Sequence, residues 1–189
     1  MFDDRFTHIT SDDEASVRAV QALLESDVAT WTQLEGAPPR PDEALRLLEE
    51  LPPSVPRTGK HVWIARARPP REGERPAPDG RIDRDAILRE RIDAVVEVVE
   101  GHPDATTWYL GLIFVAPHAR NAGLGAAAVQ ALCTHVRACG GSALRLAVVT
   151  TNTGARRLYD RLGFAHLARR TRTTWTGDTQ ECDVLELQL

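Results

Sequence analysis

The amino-acid sequence predicts an α/β protein in which one mixed sheet carries helices on both faces. Three observations lead there. Apolar residues alternate at strand spacing in some segments and recur at helical spacing in others, in the order β-α-α-β-β-β-α-β-α-β-β. A chain of 189 residues can bury one hydrophobic core but hardly two, so a single domain over 1–189 is expected. No repeat or linker interrupts the pattern, and 42% hydrophobic with 26% charged residues is the balance of an ordinary globule.

Phe6 to Ile9 reads as a short strand. Ser11 with Glu14 forms a capping-box pattern ahead of Val17, Val20 and Leu24 at helical spacing. A second helix is expected from Pro41, with Leu45, Leu48 and Leu51 as its stripe and Pro52-Pro53 as its stop. His61 to Ala67 alternates as a strand through Val62 and Ile64. Residues 68–90 break the pattern. Pro69, Pro70, Gly73, Pro76, Pro78 and Gly80 stand among many charges there, which predicts a flexible, exposed loop with room for one helical turn near Ile87.

The second half is more regular. Ala94 to Val99 and Trp108 to Val115 are β-rich runs joined by the turn-like Gly101-His102-Pro103-Asp104. From about Gly123 a helix sets Val129, Leu132, Cys133 and Val136 on one face and ends at Gly140-Gly141. Leu144 to Val149 is a strand. Asn152 is a good N-cap for a helix that carries Ala155, Leu158, Tyr159 and Leu162 and closes at Gly163. Strands near Phe164 to Thr174 and Cys182 to Leu187 complete the order.

Composition excludes several classes. A net charge of -4 argues against a nucleic-acid binder, which shows a basic stripe. Lys60 is the only lysine, and the densest basic stretch, Arg169-Arg170-Thr171-Arg172, fits a solvated strand face. Cys133, Cys139 and Cys182 have no disulfide or metal spacing, and Cys133 and Cys139 are expected in core packing; no metal is expected. No apolar run reaches the roughly 20 residues a membrane helix needs. The acidic start Met1-Phe2-Asp3-Asp4-Arg5 lacks a signal-peptide pattern, so a cytoplasmic protein, monomer or homodimer, is expected.

The informative segment is Arg120-Asn121-Ala122-Gly123-Leu124-Gly125-Ala126, between a strand and a helix. Such a turn aims unpaired amide N–H groups at one point, where the helix dipole adds partial positive charge. Glycine keeps side chains out of an anion's way and permits φ > 0. Arg120 adds a charge-assisted donor. Gly123-Leu124-Gly125-Ala126-Ala127-Ala128 also fits the G-x-G-x-x-G/A dinucleotide fingerprint. Two features count against that reading. Ala116 to Ala122 separate the strand from the turn, and Val148-Val149-Thr150-Thr151-Asn152 holds no acid where a ribose ligand is required.

Arg120-x-x-Gly123-x-Gly125, preceded by Ile113-Phe114-Val115-Ala116-Pro117, resembles the Q/R-x-x-G-x-G/A signature of the GNAT acetyltransferases. Asn152-x-x-Ala155-x-x-x-Tyr159-x-x-x-Gly163-Phe164 resembles that family's second block. The resemblance is strong over 108–167, compatible over 6–67 and absent from 68–90. It implies the GNAT fold, a mixed, mostly antiparallel sheet flanked by helices on both faces, and an N-acetyltransferase that uses acetyl-CoA. The pyrophosphate of coenzyme A would lie on the amides of Asn121 to Ala126, and the pantetheine arm along Ile113, Phe114 and Val115. Asn152 and the adjoining Ala155 would border that arm, and Tyr159 would stand near the sulfur. A phenol with an ordinary pKa of about 10 keeps its proton at neutral pH and can give it to the departing thiolate.

Many relatives carry a glutamate base on the strand before the turn, but Trp108-Tyr109-Leu110-Gly111-Leu112-Ile113-Phe114 contains no carboxylate or imidazole. Glu97, Glu100, His102 and Asp104 are the nearby alternatives, each also readable as a solvated loop or strand residue. The acceptor, a small-molecule or peptide amine, is not written in the motifs; Trp31, Trp63, Trp108 and Tyr109 are either its lining or core. A non-catalytic acyl-CoA sensor or scaffold would keep the turn but could do without Tyr159.

Overall fold

Among the described residues, seven strands form one sheet in the order β1-β2-β3-β4-β5-β7-β6. The computed structural model describes residues 5–51, 59–66 and 91–189; the expected loop at 68–90 and the Pro52-Pro53 stop lie outside them. The first half holds β1 (Phe6–Ile9), α1 (Glu14–Glu25), α2 (Val28–Glu35), α3 (Glu43–Glu49), β2 (Lys60–Arg66), β3 (Ile92–Val99) and β4 (Thr107–Val115). A 3₁₀ turn, Pro117–Ala119, leads to α4 (Leu124–Ala138), β5 (Ala143–Val149), α5 (Thr153–Arg161), β6 (Ala165–Thr173) and β7 (Thr179–Gln188). Every strand pair is antiparallel except β4–β5.

Helices cover both faces, so there are two apolar layers. On one face Val129, Leu132 and Val136 of α4 meet Trp108, Leu110, Leu144, Leu146 and Leu185. On the other, Val20, Leu23 and Leu24 of α1 meet Ile9, Val62, Ile64, Val95 and Phe114. A fully buried leucine such as Leu132 contributes roughly 1.5–3 kcal/mol, so a few such contacts fix each helix on the sheet.

Several expectations change. The capping box at Ser11 does not form. Asp13 caps α1 instead, accepting from the Ser16 N–H at 3.1 Å, because its carboxylate stands directly before the first helical residue. The predicted order lacked α2, whose segment buries only Trp31 and so has no apolar stripe to read. Asp27 starts it by accepting from Thr30 N–H at 3.0 Å, and Gly36, at φ +84°, ends it. The next helix begins at Glu43, not Pro41; Glu43 and Ala44 are its buried residues, Leu45 is exposed, and Leu51 lies beyond its end. Cys133 is buried as expected, whereas Cys139 is exposed, at the C-cap of α4.

The two central strands separate part-way along. β3 holds β4 from Val99↔Tyr109 to Ala94↔Val115, but β5 pairs with β4 only over Thr107–Leu110. The rest of β5, from Ala147 to Val149, pairs with β7 alone. At the same level Glu97 pairs with Leu112 and Val98 with Leu110, so Gly111 is the extra residue of a bulge that turns β4 away.

A cluster of aromatic rings lies at the closed end. His61 stacks against Trp63 and Trp108, with ring centroids 5.5 and 5.3 Å away, and His135 meets both indoles edge-on. Burial, and then His61, lower the pKa of His135. The unfolded chain therefore takes up the proton first, and stability present at neutral pH is lost as pH falls through about 6.5. The His135→Gln variant should lose less melting temperature than the parent between about pH 7.5 and 5.5. Equal losses would place the acid sensitivity elsewhere.

Candidate active site

The gap between β4 and β5 is a cleft of about 630 Å³. Its walls bring together most of the residues expected from sequence: Ile113, Phe114, Val115, Arg120, Asn121, Gly123, Leu124, Gly125, Ala126, Asn152, Ala155 and Tyr159. Ala122 stands on the same turn without lining the cleft. Ala116 donates its N–H to Asp93 O at 2.8 Å, so by the alternation of an antiparallel ladder the peptide groups of Ile113 and Val115 face the cleft.

The turn owes its shape to two left-handed residues, Asn121 at φ 60° and Gly123 at φ 81°. A Cβ on Gly123 would meet no atom within 4 Å, so that space is open for a ligand. The first intrahelical bond of α4 runs from Ala127 N–H to Gly123 O at 2.9 Å, and the N–H groups of Leu124, Gly125 and Ala126 precede it. Amides converging on open space at a helix N-terminus suit a pyrophosphate. A Cβ on Gly125 would touch Leu158 of α5 at 3.4 Å, an ordinary packing contact.

Arg120 reaches across the chain. Its Nε donates to Val115 O at 3.0 Å, and its Nη1 lies 2.7 Å from Asp27 Oδ2. The Thr30 hydroxyl, and then Arg120, hold the Asp27 carboxyl below its usual range. This side chain thus ties the start of α2 to the strand end, and Thr30, Gln33, Leu34 and Glu35 of α2 become cleft walls. Sequence patterning missed them, although Asp27 and Gly36 bracket the helix as an N-cap and a left-handed terminator.

On the opposite wall Asn152 caps α5 by accepting from Ala155 N–H at 3.1 Å. Arg156 of α5 pairs with the buried Asp183 at 2.7 Å, and Arg169 joins the same carboxylate at 2.9 Å, so the helix is locked to β7 and β6. Tyr159 lines the cleft while its ring packs edge-on against Phe164. Burial pushes its phenol up to about 12.

Among the four carboxylate and imidazole alternatives, Glu97 is not solvated: it is 7% exposed. A Cβ on Gly111 would fall 1.9 Å from Glu97 Oε2, so the carboxylate occupies the place of a side chain at this cleft-lining residue. Only glycine leaves room there. Burial pushes the Glu97 carboxyl up, opposed by Lys60, whose Nζ lies 3.5 Å away. Glu100 sits beside His61, and Asp104 accepts from Thr106 and Thr107 in its turn; neither lines the cleft. Trp31, Trp63 and Trp108 are core. Arg172, expected on a solvated strand, lines the cleft with Cys182 and faces Glu35 at 3.4 Å.

A family model described as Acetyltransferase (GNAT) family matches residues 61–164, more than half of the chain. This protein belongs to the GNAT family. No curated protein sequence matches it. Solved structures share the fold at low identity. An acetyltransferase from Thermus thermophilus is 15% identical, with a TM-score of 0.67 and 100% of both chains covered. A ribosomal-protein-alanine N-acetyltransferase from Brucella melitensis is 16% identical, with a TM-score of 0.66 and 97% of this chain and 99% of that one covered. The NatC complex bound to Gag peptide and CoA is 14% identical, with a TM-score of 0.62 and 97% of both chains covered. Membership makes acyl transfer from acetyl-CoA the reaction class of this GNAT protein.

Gly123→Val places a β-branched residue at φ 81° and fills the open space over the turn. In a variant shown folded by circular dichroism, the rise in melting temperature that acetyl-CoA gives the parent should disappear. NADH should shift neither protein. An undiminished shift with acetyl-CoA would make the turn purely structural.

Proposed function

We propose that this GNAT protein transfers the acetyl group of acetyl-CoA to a primary amine by direct attack within a ternary complex. The observation that carries the proposal is the placement of two proton-handling groups about one cleft, the Tyr159 phenol in its wall and the buried Glu97 carboxylate directly behind the wall residue Gly111. Thr30 to Glu35 of α2 form the wall nearest the amine, and the turn from Arg120 to Ala126 takes the pyrophosphate.

Glu97 accepts a proton from the incoming ammonium, and its raised pKa makes it a stronger base than an exposed carboxylate. The neutral nitrogen then forms a bond to the thioester carbonyl carbon, and the carbonyl electrons move to oxygen. The cleft-facing N–H of Val115 is a donor for that oxyanion. Collapse breaks the C–S bond, the nitrogen gives up its second proton to solvent to become the amide, and the Tyr159 hydroxyl donates to the departing sulfur. At a pKa of about 12 the phenol stays protonated throughout the working range, and the strongly basic phenolate recovers its proton from solvent. Holding both reactants in one cleft supplies much of the remaining acceleration.

Release of free thiol against an amine panel tests the reaction. Intersecting initial-rate lines are expected, and parallel lines would indicate an acyl-enzyme instead. Tyr159→Phe keeps the packing, and kcat should fall by about 10²- to 10⁴-fold with acetyl-CoA affinity little changed. Glu97→Gln should abolish the loss of kcat/KM that the parent shows as pH falls through its raised carboxyl pKa. Acetyl-CoA binding with no thiol release for any amine would favour a sensor module.

A further inference from the structure

Beyond the cleft, the sheet face that carries Tyr109 and Gly111 continues across β5, β7 and β6. Leu144, Leu146 and Leu185 point into the α4 layer, so by strand alternation Arg145 and Val184 point the other way. A second cavity of about 410 Å³ lies on that side, where Tyr109, Leu167, Ala168 and Val184 meet the polar residues His102, Arg145 and Arg170. Tyr109 joins it to the candidate active site, two residues along β4 from Gly111 and on the same face, about 7 Å away.

The charges on this face do not cancel. Arg145 Nε donates to Glu186 at 2.7 Å, Arg172 faces Glu35, and Lys60 faces Glu97. The Arg170 side chain has no ion pair or hydrogen bond among the described residues, which leaves one uncompensated positive charge at a cavity whose walls are about as polar as they are apolar. A guanidinium at such a place suits a carboxylate, which it can hold through two parallel N–H donors. β6 lies three strand spacings from β4, roughly 14 Å, and Arg170 and Tyr109 border the same cavity across that span.

We propose that the second cavity is an acceptor subsite: it takes an amine whose carboxylate lies about three extended residues, or 10 Å, from the reacting nitrogen. Arg170 then selects the acceptor without touching the reacting atoms. This rests on the reading of Glu97 and Gly111 as the amine end of the site.

The probes are trialanine with a free C-terminus, its C-terminal amide, and a C-terminal amide whose third residue is aspartate. Calorimetry with coenzyme A present measures binding to the parent and to Arg170→Gln, an exposed position whose change leaves the fold intact. Both carboxylate probes should bind the parent about tenfold more tightly than the neutral amide. Arg170→Gln should remove that preference and leave the neutral amide's affinity unchanged. A preference for the free C-terminus alone would assign the carboxylate to a chain end, and one for aspartate alone to a side chain. Equal affinities, no binding by any probe, or a preference that survives Arg170→Gln would overturn the subsite. If the preference appears without thiol release, the subsite stands and the transfer reaction falls; thiol release without charge preference has the opposite meaning.

Discussion

Strands in a sheet normally satisfy their peptide groups on both sides, and the candidate site exists because β4 stops doing so. After Leu110 its bonds to β5 end, and the peptide groups of Ile113 and the N–H of Val115 are left facing a cleft, while Val115 O is taken by Arg120. Unpaired backbone groups away from water are costly, so a cleft of this kind favours an occupant that can extend the ladder. The bulge at Gly111 produces the separation and, by removing one side chain, admits the Glu97 carboxylate. One irregular residue thus opens the cleft and leaves a titratable group directly behind its wall.

The cleft stays open because its walls are pinned from behind by charge. Asp183, nearly buried, receives Arg156 from α5 and Arg169 from β6, and these partners, Arg169 foremost, keep its carboxyl below the usual range. Arg120 does the same between α2 and β4 through Asp27 and Val115 O. Such bonds are sensitive to geometry more than they are large sources of stability, since desolvation offsets much of the attraction. Stability comes from the two apolar layers. The ion pairs set where Tyr159 and the α2 wall stand relative to the turn.

Much of this was legible in the sequence wherever a local rule has few solutions. The turn from Arg120 to Ala126 could be read because left-handed torsions call for glycine, and α5 because Asn152 and Gly163 mark its ends. The strands β4 and β5 on either side of α4 could be read from their apolar runs, whereas their order in the sheet could not. What could not be read depended on contacts distant in sequence. Helix α2 has no apolar stripe, because only Trp31 faces inward while its other side borders the cleft. Glu97 looks like any strand carboxylate until β4 is laid beside β3 and Gly111 appears under it. The cavity around Arg170 is assembled from β4, β5, β6, β7 and the His102 turn, which no single segment foreshadows.

The central claim is that acetyl-CoA occupies the separation of β4 and β5. Amide hydrogen exchange with and without acetyl-CoA tests it most directly, because the exposed N–H groups have known addresses. The account expects exchange to slow at Ile113 and Val115 and in the first turn of α4, at Leu124, Gly125 and Ala126. The outer strand β6 should be unaffected. Slowed exchange confined to other segments, with Ile113 and Val115 unchanged at saturating acetyl-CoA, would contradict it.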